Sequence, residues 1–196
     1  PWCRCRLHRY TDRLMWLPSW FAVIWLAMSN SEDSPSLSGT DAGHFAPTGS
    51  TEQTKCSPGT VQPDGRQGAC VKCEAGKHQA DAGKLACVSC AEGTYCLEGA
   101  NAETRCKAGF YSPEQNQTSE DACKPCDAGH ACPIGSASQA RCQPGSFNNK
   151  TEQASCKKCA AGTFQKDKGK TECEPCKNGT YCMMGASSGT PCEAGR

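Results

Sequence analysis

Twelve times in this chain a cysteine is followed after two residues by a glycine, and nine of these cysteines, Cys56, Cys73, Cys90, Cys106, Cys126, Cys142, Cys159, Cys176 and Cys192, open a repeated unit. Glycine suits a chain that must leave a crowded cross-link through a left-handed turn. The spacing is itself repeated. Adding 86 to Cys56, Cys70, Cys73, Cys87, Cys90, Cys96 and Cys106 gives Cys142, Cys156, Cys159, Cys173, Cys176, Cys182 and Cys192 without an insertion. Gly59/Gly145, Gly76/Gly162, Asp81/Asp167, Gly83/Gly169, Tyr95/Tyr181 and Gly99/Gly185 keep the same offset. At a shorter offset of 36, Cys123, Cys126, Cys132 and Cys142 repeat the spacing of Cys87, Cys90, Cys96 and Cys106. Self-similarity of this kind marks an array of small units.

Such units cannot rest on a hydrophobic core. From Asn30 onward the chain has only seven aromatic residues and nine Leu, Ile, Val or Met, so cross-links must replace packing. The 19 cysteines in 196 residues are the composition of a disulfide scaffold. Net charge is only +1, which gives no sign of a nucleic-acid partner. No cofactor site and no recognisable nucleophile arrangement is legible, and the chain does not read as an enzyme.

The N-terminal segment sets the compartment. Arg4, Arg6, Arg9 and Arg13 precede an uncharged apolar run from Leu14 to Met28, closed by Ala27-Met28-Ser29. This is the pattern of a secretory signal peptide over residues 1–29, with a hydrophobic helix. An uncleaved anchor through residues 14–28 is the alternative. Either places the following chain outside the cell. Cys3 and Cys5 take no structural role. Residues 30–55, rich in Ser, Thr, Gly, Asp and Pro, read as a flexible linker. The array then occupies 56–196, and the chain reads as a fragment at both ends.

Parity suggests a pairing. If each opening cysteine bonds the next cysteine, the disulfides are Cys56–Cys70, Cys73–Cys87, Cys90–Cys96, Cys106–Cys123, Cys126–Cys132, Cys142–Cys156, Cys159–Cys173 and Cys176–Cys182. Cys192 is then unpaired, with a partner expected beyond Arg196. Connectivity does not follow from sequence, and Cys90–Cys106 with Cys96 bonded elsewhere competes for the five-residue loops. The loops are too short for more than hairpins or irregular turns. The fold class expected is therefore small and disulfide-rich, an elongated tandem array of short β-hairpin or irregular units.

The same cysteines admit other chemistry. Cys70, Cys73, Cys87 and Cys90, and their copies Cys156, Cys159, Cys173 and Cys176, approach the spacing of a four-cysteine zinc ribbon; export and the cysteines at 56, 96 and 106 argue against metal. A redox Cys-x-x-Cys role needs a βαβ context that is not visible. Asn116, Asn149 and Asn178 each head an Asn-x-Thr sequon and are candidate glycosylation sites. Two residues after the unit glycine stand Tyr95, Tyr111, Phe147, Phe164 and Tyr181, expected to cover the neighbouring disulfide. His78 takes that slot in its unit, and His130, one place earlier, is expected to be exposed.

The strings Cys-Ser-Pro-Gly-Thr (56–60), Cys-Ala-Glu-Gly-Thr-Tyr-Cys (90–96) and Cys-Lys-Asn-Gly-Thr-Tyr-Cys (176–182) resemble the ephrin-receptor-like cysteine-rich repeat, related to growth-factor-receptor cysteine-rich domains. The resemblance covers about residues 56–196. It implies an extracellular spacer or adhesion module. Ephrin binding and kinase activity are not implied, because neither the ephrin-gripping β-sandwich nor any kinase motif is present. The function expected is an extracellular structural or adhesive repeat module contacting proteins or glycans. A ligand-binding receptor ectodomain is the alternative, and a zinc-binding module a minor one.

Overall fold

A computed structural model describes residues 39–193. The expected signal segment and hydrophobic helix over 1–29, with Cys3 and Cys5, lie outside those residues, as does the first part of the 30–55 linker.

From Thr40 onward the chain repeats one small device. An opening residue is followed at its third place by a left-handed glycine, then by a two-residue strand, a loop, and a two-residue return strand that ends at the next opener. Thr60–Val61 thus pairs antiparallel with Val71–Lys72, and Thr94–Tyr95 with Thr104–Arg105. Nine such pairs form among the described residues, together with one 3₁₀ turn at Glu120–Ala122. β-branched and aromatic residues favour the outgoing strands. Isolated hairpins this short are at best marginal in water, so their stability must come from elsewhere.

It comes first from the neighbouring unit. Between the Cys56 and Cys73 units, the Gly59 N–H donates to the Gln79 carbonyl (2.7 Å), and the Cys73 N–H to the Gly59 carbonyl (2.9 Å). The Gly83 N–H donates to the Cys56 carbonyl (2.8 Å), and the Gln62 N–H to the Lys84 carbonyl (3.1 Å). The same four bonds recur at all eight junctions between the openers Thr40, Cys56, Cys73, Cys90, Cys106, Cys126, Cys142, Cys159 and Cys176. Buried backbone groups need partners, and here the next unit supplies them. The approach is close enough to demand glycine: Gly59 sits at φ +82°, and a Cβ there would run into the carbonyl of Gly99. The second backbone partner at a junction is also left-handed. It is glycine at 83, 99, 135, 169 and 185, but Arg66, Asn116 and Glu152 at the other three.

The linker expected over 30–55 needs correction. His44–Phe45 pairs with Thr54–Lys55, Gly43 is left-handed at φ +81°, and Thr40 occupies the opener's place. Residues 40–55 are a unit of the array without cysteines. They copy Cys126–Arg141 at the 86-residue offset: Asp41-Ala-Gly-His44 repeats as Asp127-Ala-Gly-His130, and Pro47, Gly49, Ser50 and Gln53 repeat as Pro133, Gly135, Ser136 and Gln139. Their hydrogen bonds match as well. The Asp41 N–H donates to Gln53 Oε1 and Gln53 Nε2 to Asp41 Oδ2, both at 2.9 Å. Asp127 and Gln139 do the same at 3.0 and 2.8 Å.

What is buried is mostly sulfur and backbone. Cys56, Cys73, Cys90, Cys96, Cys106, Cys126, Cys132 and Cys159 are fully buried, whereas Val61, Ala131 and Phe164 are the apolar non-cysteine residues of the core.

Candidate functional site

The cysteines occupy two slots around each opener. In the longer units the opener bonds the residue just before the return strand: Cys56–Cys70, Cys73–Cys87, Cys106–Cys123, Cys142–Cys156 and Cys159–Cys173, with Cα atoms 5.6–5.8 Å apart. In the shorter units it bonds the residue just after the outgoing strand: Cys90–Cys96, Cys126–Cys132 and Cys176–Cys182, at 6.2–6.3 Å. These are the eight pairs obtained by joining each opener to the next cysteine. Cys192 opens a unit with a free, exposed thiol, its N–H donating to the Gly179 carbonyl at 2.9 Å.

In all units but two the slot that lacks a cysteine holds a side chain that hydrogen-bonds in its place; the exceptions are Ala46 in the Thr40 unit and Gly189 in the Cys176 unit. In the longer units the slot after the outgoing strand carries Gln62, Gln79, Ser112, Asn148 or Gln165, all buried. Gln79 Nε2 donates to the Ala86 carbonyl at 2.8 Å and its Oε1 accepts from the Asp81 N–H at 3.0 Å. Gln165 bridges Glu172 and Asp167 likewise, at 2.8 and 2.9 Å. Asn148 Nδ2 donates to the carbonyls of His130 (2.7 Å) and Ser155 (3.1 Å). In the shorter units Gln53, Glu103 and Gln139 stand before the return strand, each accepting a backbone N–H at 2.8–3.0 Å. The sequence reading missed these residues. Their signal is in the sequence: the third residue after each unit glycine from Gly59 to Gly179 is Cys, Gln, Asn or Ser.

The two zinc-ribbon candidates are not brought together as ligand sets. Cys70 bonds Cys56, Cys73 bonds Cys87, and Cys90 bonds Cys96, so three disulfides divide the first set; Cys156, Cys159, Cys173 and Cys176 are divided in the same way. A different cluster does form. His78, Cys90 and Cys96 place their ligand atoms within 4.8 Å of one another, with His78 Nδ1 3.7 Å from Cys90 Sγ. Both sulfurs are joined in one disulfide, and a cysteine must be a thiolate to bind a metal, so His78 covers a cross-link.

The aromatic slot varies in burial. Phe164 is buried, Tyr95, Tyr111 and Phe147 are half-buried, and Tyr181 is 47% exposed. His130, expected to be exposed, is half-buried instead: it lies in a strand paired with Arg141, and its Nδ1 donates to the Ala128 carbonyl at 3.2 Å. Asn116, Asn149 and Asn178 are all exposed. Asn116 carries the left-handed backbone of its junction, at φ 59°, and donates its N–H to the Cys90 carbonyl at 2.9 Å. No protein-family model matches the chain, and no curated protein is similar to it.

Proposed function

We propose that this chain is an extracellular structural or adhesive repeat module of the ephrin-receptor-like cysteine-rich class, which spaces or joins other proteins. The observation that carries this reading is the junction ladder. Neighbouring units share four backbone hydrogen bonds, two donated each way, so the arrangement propagates unit by unit and can be lengthened without new chemistry. The eight disulfides are typical of extracellular proteins. Exposed sequons at Asn116, Asn149 and Asn178 suit the same route. Repeated weak contacts along such an array gain through multivalency.

The test is expression in eukaryotic cells with the N-terminal segment intact. The expected product lies in the medium or on the outer surface, loses mass on enzymatic deglycosylation, and carries Cys192 as the one titratable thiol between residues 56 and 192. Retention in the cytosol with reactive thiols throughout the array would contradict the reading.

A further inference from the structure

The hairpins carry cations at one repeated place. The last residue of the return strand, directly before the next opener, is Lys55, Lys72, Arg105, Arg141 or Lys158 in five units. In the Cys73 unit that place is Ser89, and the cation stands on its register partner, Lys77. The partners across from the other five are His44, Thr60, Thr94, His130 and Ser146, none of them acidic. Opposed residues of an antiparallel pair share a face. Six of the nine hairpins described therefore carry a cation at the same place within the hairpin.

The surroundings keep those charges free. Lys55, Lys72, Arg105, Arg141 and Lys158 are exposed. Among the described residues Lys55, Arg105, Arg141 and Lys158 have no acidic partner, while Lys72 meets Glu98 at 3.8 Å and Lys77 meets Glu74 at 3.4 Å. Each aliphatic stem runs past a left-handed glycine of a following unit: a Cβ at Gly99 would lie 3.6 Å from Lys72 Cδ, and one at Gly169 would lie 3.5 Å from Arg141 Cδ. With a net charge of only +1, the row is a local arrangement and not a general excess of base. A repeated cation of this kind suits a linear anion with a repeat of its own.

Near Lys158 the row opens on a cleft of about 690 Å³. There Lys157 and Lys158 stand beside Phe147, Thr163 and Thr171, with Glu172 and the sequon residue Asn149 on the wall. Cations for anionic groups, an aromatic ring and hydroxyls suit a sugar chain better than a base stack, which needs successive aromatic platforms. Phe110, in the hairpin that interrupts the row, already lies under the Lys107 ammonium, 4.6 Å from its ring centre.

The geometry points to the face bearing Lys55, Lys72, Lys77, Arg105, Arg141 and Lys158 as a binding surface for a sulfated polysaccharide. Sulfate stays anionic at physiological pH, and the planar guanidinium of Arg105 or Arg141 can give it two parallel hydrogen bonds. The choice of polysaccharide among polyanions rests on the extracellular reading above; the cationic row does not.

The test measures binding of the full chain, disulfides formed, to immobilised heparin, to desulfated heparin and to single-stranded DNA. Heparin should bind saturably, with an affinity that falls steeply as salt rises. Arg105→Gln, Arg141→Gln and Lys158→Gln combined should weaken it roughly 30-fold, whereas Lys150→Gln, Lys166→Gln and Lys177→Gln, an equal charge change outside the row, should cost about 2-fold or less. Equal losses from the two triples would overturn the surface. Desulfated heparin or DNA binding as tightly as heparin would overturn the ligand class. Both readouts use purified protein, so their failure is distinct from failure of secretion in cells.

Discussion

Thr40–Lys55 and Cys126–Arg141 are the same hairpin built twice, once without a disulfide and once with it. Both have a left-handed glycine, at φ +81° and +80°, and the same Asp–Gln pair of hydrogen bonds. Both share four backbone bonds with the following unit, two donated each way. Among the eight positions at which they differ are the opener and the slot after the outgoing strand, where Thr40 and Ala46 replace Cys126 and Cys132. The Thr40 hydroxyl is buried and has no hydrogen-bond partner among the described residues, as expected of a polar group in a place shaped for sulfur. The unit is thus defined by its glycine and its junction, and the disulfide fastens a shape the backbone has already taken.

Matched substitutions at the 86-residue offset can break or sharpen that comparison. The largest effect is expected at the junction glycines. A Cβ at Gly43 would strike the carbonyl of Gly83, and one at Gly129 that of Gly169. Gly43→Val and Gly129→Val should each cost at least ~3 kcal/mol, with the left-handed strain added to the collision. Urea unfolding with disulfides intact checks this, and a much smaller loss at Gly43 would break the equivalence.

Exchanging the cross-links comes next. Thr40→Cys with Ala46→Cys should form a disulfide spontaneously and stabilise its unit by roughly 2 kcal/mol, while Cys126→Thr with Cys132→Ala should lose about the same. Thiol titration and local amide exchange read both. The smallest effect lies at the other left-handed place. Arg66 and Glu152 hold it at φ 65° and 59°, and Arg66→Gly or Glu152→Gly should gain about 0.5–1 kcal/mol, seen as a raised unfolding midpoint.

Much of this fold is legible in the sequence because cysteine spacing is discrete and has no second reading at an offset of 86. The hairpin units, the two loop types and their aromatic slot all follow from it. What escaped is what cysteine does not mark. Thr40–Lys55 has a linker's composition, and its kinship to Cys126–Arg141 rests on Asp, Gly, Pro and Gln positions visible only once the unit's shape is known. The buried amides Gln62, Gln79, Asn148 and Gln165 escaped for a similar reason. Gln and Asn are usually surface residues, and only the junction geometry shows that these replace a sulfur. His130 read as exposed because it follows a turn glycine, yet it is half-buried in a strand paired with Arg141 and the Ala128 carbonyl holds its ring.

The most direct test of the claim that backbone junctions make the unit is amide hydrogen exchange on the native, oxidised chain. The N–H groups of Gly43 and Cys56 bond Gln62 and Gly43 at 2.8 and 3.0 Å, as those of Gly129 and Cys142 bond Asn148 and Gly129 at 2.8 and 2.9 Å. Strong protection at Gly43 and Cys56, slowed well beyond an unfolded chain as at Gly129 and Cys142, is the predicted result. Exchange at unfolded-chain rates from Thr40 to Lys55, beside strong protection from Cys126 to Arg141, would contradict it and return residues 40–55 to a linker.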